Sequence, residues 1–119
     1  WNPIRKSRPD FSELSLEEQG RLIEKNPLYG RIVCRCETVT EGEIVTEIHA
    51  PIPARTYDAI KRRTWLGTGR CQGSFDTPRV IEILSRELGI SPMDVIKESK
   101  GSNFLTRPTK EVPKGGLND

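Results

Sequence analysis

Histidine occurs once in this chain, methionine once, and aromatic residues make up only 6% of 119 positions. With His49 alone, no Ser/His/Asp or Cys/His constellation can be assembled. Its place at an expected helix end before Pro51 suits a partner of the C-terminal dipole, not a base or ligand. An excess of one charge is missing too: 19 Lys and Arg against 17 Asp and Glu leave a formal +2, too little to argue for a nucleic-acid partner. Lys61-Arg62-Arg63 beside Trp65 reads as a solvated basic helix face, because no second aromatic accompanies it. No apolar run approaches the roughly 20 residues of a membrane span, and no signal-peptide pattern opens the chain. A dinucleotide fingerprint also fails. After Gly67-Thr68-Gly69 the third glycine position holds Gln72, and no apolar strand precedes Gly67.

Hydrophobic residues are scarce at 34%, while 30% are charged. One small domain with a small core is expected, helped by an extra staple or accompanied by ends that never pack. The first residue is Trp1, which reads as a piece of a longer polypeptide. Three cysteines, an odd number, argue against a disulfide framework and fit a reducing, cytoplasmic compartment.

What is present is a pattern of thiols. Cys34-Arg35-Cys36 is followed, after thirty-four residues, by Cys71 and then Asp76, spelling C-x-C-x34-C-x4-D. On an extended segment Cys34 and Cys36 face one side and can reach one metal or cluster. With Cys71 and Asp76 they make four anionic donors, the number that an iron–sulfur cluster or a closed zinc site requires. The bland alternatives are three small buried apolar residues or a strained local disulfide. Asp76 stays open: an acid before Thr77-Pro78 serves equally as a ligand or as a helix cap. Arg31, Arg35 and Arg70 surround the cysteines, either as compensating charge for a cluster or as solvated surface.

The fold expected is mainly α, four to five short helices with cysteine-bearing loops and at most a minimal two-stranded extended element. Ser15-Leu16-Glu17-Glu18 is a capping box for a helix over 16–25, with Leu16, Leu22 and Ile23 as a thin apolar stripe and Asn26-Pro27 as its stop. An extended piece over 28–33 leads to the first cysteines. Thr40-Glu41-Gly42-Glu43 is a second box, before Ile44, Val45 and Ile48. Further helices are expected over 54–64, from Thr77-Pro78 to Gly89, and over 91–96, the second burying Val80, Ile81, Leu84 and Leu88. A short extended piece at Phe104-Leu105 follows. Residues 1–28 read as a lead-in arm and helix, 29–105 as the domain, and 106–119 as a disordered tail. Each cysteine loop then lies just upstream of a helix N-terminus, whose positive dipole end favours thiolates.

From about Tyr29 to Leu105 the chain resembles the BFD-like (bacterioferritin-associated-ferredoxin-like) [2Fe–2S]-binding domain, in the version found at the C-terminus of FAD-dependent glycerol-3-phosphate dehydrogenases. The likeness rests on the stretch from Ile32-Val33-Cys34-Arg35-Cys36 to Glu41-Gly42-Glu43, on Pro53-Ala54-Arg55-Thr56, on Lys61-Arg62-Arg63-Thr64, on Gly69-Arg70-Cys71-Gln72-Gly73 and on 78–84. It implies a helical module holding a [2Fe–2S] cluster by four cysteines spaced C-x-C and C-x4-C. Cys34, Cys36 and Cys71 fall on the first three ligand positions, and Asp76 departs from the fourth. Carboxylate is a harder ligand than thiolate, so the cluster is held differently or lost. The resemblance implies electron relay from the flavin, with the FAD-binding domain of the same polypeptide and an electron-acceptor subunit as partners, and no turnover in this segment alone. Two other readings remain: a cluster-free interaction module docking the flavin domain or a subunit, and a structural zinc site on the same donors.

Overall fold

The computed structural model describes Arg8 and residues 10–106. Most of the expected arm, and the expected tail apart from Thr106, lie outside the described residues. In chain order come α1 (Leu16–Lys25), β1 (Ile32–Cys34), β2 (Val39–Thr40), α2 (Glu41–Ile48), α3 (Tyr57–Thr64) and α4 (Thr77–Leu88), with short 3-10 turns at Phe11–Glu13, Pro27–Gly30 and Pro92–Asp94. The fold is mainly α, as expected. β1 and β2 form an antiparallel ribbon pairing Ile32 with Thr40 and Cys34 with Val39.

Side-chain caps start most helices. Ser15 Oγ accepts the Glu18 amide at 3.3 Å and opens α1. Thr40 and Glu43 form a full capping box at α2. The third helix begins at Tyr57, not at Ala54, because Thr56 is extended and its hydroxyl accepts the Ala59 amide at 3.1 Å. α4 begins at Thr77 with Pro78 in its first turn and ends on left-handed Gly89, so Asp76, not Thr77, occupies the cap position. The fifth helix is absent. Only the turn Pro92–Asp94 forms, and the chain then runs out to a bridge between Ile96 and Asn103. Likewise the extended piece before the cysteines starts late, at Ile32, because Asn26 caps a 3-10 turn.

The core lies among α2, α3 and α4. Ile44, Ile48, Ile60, Val80, Ile83 and Leu84 are at most 2% exposed, joined by Leu66 and Val95. Each such side chain contributes about 1.5–3 kcal/mol of burial. α1 stands apart: none of its residues is buried, and Leu16 is 87% exposed, so the expected stripe covers little. It packs on the turn Pro27–Gly30, whose Tyr29 lies against Gly42 of α2 and shares a 3.1 Å hydroxyl contact with Thr46.

Ion pairs supplement this small core. Three glutamates of α2 are buried, and each meets arginine. Glu41 is paired with Arg31 at 3.5 Å, Arg79 at 3.0 Å and Arg86 at 2.8 Å. Glu43 pairs with Arg8, and Glu47 with Arg8 at 2.9 Å and Arg63 at 3.3 Å. Burial alone would raise the Glu41 pKa, but Arg86 and Arg79 outweigh it and hold the carboxyl below its ordinary range. Glu43 goes the other way, pushed up by burial that its Thr40 and Arg8 partners only partly offset.

Residues 95–104 strap the head of α3. The Tyr57 and Asp58 amides donate to the carbonyls of Ile96 and Lys97 at 3.2 and 2.8 Å, and the Phe104 ring meets Tyr57 edge-on at 5.5 Å.

Candidate metal centre

Two loops build the site. The first leaves the end of β1 at Cys34 and turns back through 35–38, with Thr38 left-handed at φ 51°. Cys36 therefore sits in a turn, exposed, instead of continuing the strand as the spacing had implied. The second loop runs from Trp65 to Asp76 and carries positive φ at Trp65, Gly67, Gln72 and Gly73. Its own bonds hold it: Gln72 Nε2 donates to the Gly69 carbonyl at 2.8 Å and to that of Thr68 at 3.1 Å, and Ser74 Oγ donates to the Cys71 carbonyl. The loops touch at Gly69, where an added Cβ would stand 2.7 Å from Cys36 Cβ. As the capping pattern implied, the loops open onto α2 and α4 at their N-terminal ends.

One donor atom each from Cys34, Cys71 and Asp76 lie within 4.8 Å of one another. They face a hollow of about 590 Å³, lined also by Cys36, Arg35, Arg70 and Phe75. Cys36 thus borders the same space, but its sulfur does not join the mutually close set. Arg31 is placed elsewhere, on Glu41.

Cys34 is buried at 1% exposure, which pushes its thiol pKa up. The amides of Gly67 and Glu37 bond the sulfur and act against that, while the Asp76 carboxylate adds to the rise. Asp76 is equally buried, at 1%. Although it stands at the cap position, its side chain makes no capping bond to α4. Instead Oδ1 accepts the Tyr57 hydroxyl at 3.2 Å, and Oδ2 has no hydrogen-bond partner among the described residues. Burial, with the neighbouring Asp76 charge, pushes the Tyr57 phenol up to about 12, so it is a donor at neutral pH.

An unpaired carboxylate oxygen in the interior costs about 1–3 kcal/mol or more. A cation between Asp76 and the two sulfurs removes that cost. Two thiolates, a third from the rim and one hard oxygen make a donor set that fits an iron–sulfur cluster or a tetrahedral metal ion. Composition and spacing pointed to these four residues. They did not point to Tyr57; Gly67 and Gly73, which leave room for its hydroxyl, were the available signal.

Residues 32–86 match the family model of the BFD-like [2Fe-2S] binding domain. By that match the segment is similar to a class of iron–sulfur-binding modules. A glycerol 3-phosphate dehydrogenase from Caloramator mitchellensis is 54% identical over 110 residues, which cover 92% of this chain. The match spans 23% of that relative's own length. No solved structure matches. Among the described residues, no helix is long and apolar enough to cross a membrane.

Proposed function

We propose that this chain is the electron-transfer domain of an FAD-dependent dehydrogenase acting on glycerol 3-phosphate, working in the cytoplasm beside the FAD-binding domain of its own polypeptide. The observation that carries the reading is the convergence of Cys34, Cys71 and Asp76, with a buried carboxylate oxygen left without a partner. When bound, a [2Fe–2S] cluster supplies one-electron redox chemistry between the flavin and an acceptor subunit. Cys34 and Asp76 would hold it from the interior, Cys71 from a half-buried position and Cys36 from the exposed turn. The Gly67 and Glu37 amides donate toward Cys34 sulfur, and Arg35 and Arg70 at the mouth offset the negative charge of the donors. Anaerobic reconstitution with iron and sulfide, followed by absorbance and by EPR after dithionite, tests this. A colourless, EPR-silent product rejects it.

A second reading is a single structural zinc ion on Cys34, Cys71 and Asp76. Its support is that these donors lie within 4.8 Å of one another without Cys36. The iron-to-zinc ratio of protein purified without oxygen separates the two. A fold that melts cooperatively and is indifferent to chelator favours instead a cluster-free module docking the flavin domain.

A further inference from the structure

The Tyr57 hydroxyl occupies a slot made for it. It lies too close for a Cβ on Gly67 or on Gly73 to stand beside it, and both glycines have positive φ, at 75° and 83°. Side chains at either position would displace the phenol and strain the backbone. Phe104 packs edge-on against the ring. From this slot the hydroxyl reaches Oδ1 of Asp76 at 3.2 Å. The carboxylate is thereby split into two unlike oxygens: Oδ1 is engaged and Oδ2 is buried and unpartnered, on an acid that has an oxygen within 4.8 Å of the Cys34 and Cys71 sulfurs.

We infer that Tyr57 is a positioning residue that makes Asp76 a ligand through a single oxygen, Oδ2, in place of a fourth thiolate. The inference rests on reading the hollow as a metal centre but not on which metal fills it. A carboxylate free of Tyr57 has two equivalent oxygens and can rotate or chelate through both. Held at Oδ1, it offers one hard donor in one direction, matching the single donor atom that each cysteine provides. Thr77 Oγ1 donates to the Gly73 carbonyl at 2.5 Å and lies beside the Tyr57 hydroxyl, whereas the hydrogen bond to the acid itself comes from Tyr57.

A cobalt(II) titration of the whole chain under argon tests this, with thiolate-to-cobalt absorption as the readout. Tyr57→Phe weakens binding about ten- to a hundred-fold, the range for loss of a partner that orients a metal ligand, and changes the cobalt spectrum. The same substitution in an Asp76→Cys background leaves affinity within about twofold, because a thiolate has no second oxygen to hold. Equal losses in both backgrounds show that Tyr57 merely supports the fold, and overturn the inference. So does a wild-type chain that binds no cobalt. Should Tyr57→Phe not melt cooperatively, Asp76→Asn decides: retained wild-type affinity rejects Asp76 as a ligand, and loss supports it. Iron and sulfide loading run beside it keeps the two readings apart. A colourless iron product with the cobalt pattern intact removes the [2Fe–2S] reading and keeps this one.

Discussion

Alanine at Gly42 sets two opposing energies against each other. In a helix the change from glycine gains at most about 1 kcal/mol of propensity, and Gly42 stands in the first turn of α2. At Gly42, however, the new Cβ would stand 2.5 Å from Cδ2 of Tyr29 and 2.7 Å from its Cε2 and Cγ. Carbon atoms want about 3.5–4.0 Å, so the ring must retreat by roughly 1 Å. It has little freedom to do so, being 6% exposed, tilted against Phe11 at 6.5 Å between ring centres and tied to Thr46 through its hydroxyl at 3.1 Å. Overpacking costs about 1–3 kcal/mol and a weakened hydrogen bond about 1 more, so the loss exceeds the gain by about 1–3 kcal/mol. Gly20 in α1 is the control, since a Cβ there meets nothing within 4 Å. Gly20→Ala gains up to about 1 kcal/mol. At about 4–8 °C per kcal/mol for a domain of this size, Gly42→Ala lowers Tm by at least about 4 °C while Gly20→Ala raises or holds it. Melts followed by far-UV circular dichroism, with urea midpoints alongside, decide it. If Gly42→Ala melts higher than wild type, the account of how the turn before β1 seats on α2 is wrong.

Other outcomes follow from the same structure. Asp76→Cys raises the iron retained per chain after anaerobic desalting and shifts the EPR signal, because a softer fourth donor replaces oxygen. Glu41→Gln costs about 1–3 kcal/mol near neutral pH, less than a wholly buried pair because its arginines are 37–59% exposed. The Glu41 pKa is depressed from 4.5 on folding, so its stabilisation is full above that value and fades as pH falls through the folded one. Urea midpoints of wild type and Glu41→Gln therefore converge on acidification; the raised Glu43 is common to both and does not alter the difference. Phe75→Ser changes stability by less than about 0.5 kcal/mol by thermal melt, since the ring is 87% exposed at the mouth of the hollow.

Where local chemistry decides structure, reading the residues succeeded. Ser15, Thr40 and Pro78 mark helix starts because a cap or a proline acts within one turn. Thr56 follows two prolines closely, and its cap starts α3 three residues later than the 54–64 expectation. The convergence of Cys34 and Cys71 was legible from spacing, and Asp76 as a candidate with it. Whether that acid caps α4 or faces the sulfurs depends on Tyr57, nineteen positions upstream, and no local pattern carries such information. The turning away of Cys36 rests on left-handed Thr38, a residue type that gives no warning of it. The arginine pairs of α2 were equally hidden, since each joins segments far apart in the chain.

The strap over the head of α3 makes the far end of the domain matter to its sulfurs. Ile96, Lys97 and Phe104 are none of them in the wall of the hollow, yet between them they seat Tyr57. A proteolytic nick behind Asp94 would strip two amides of their acceptors and uncover one side of that ring. The damage would be felt in how firmly Asp76 is held beside thiols that the cut never approached.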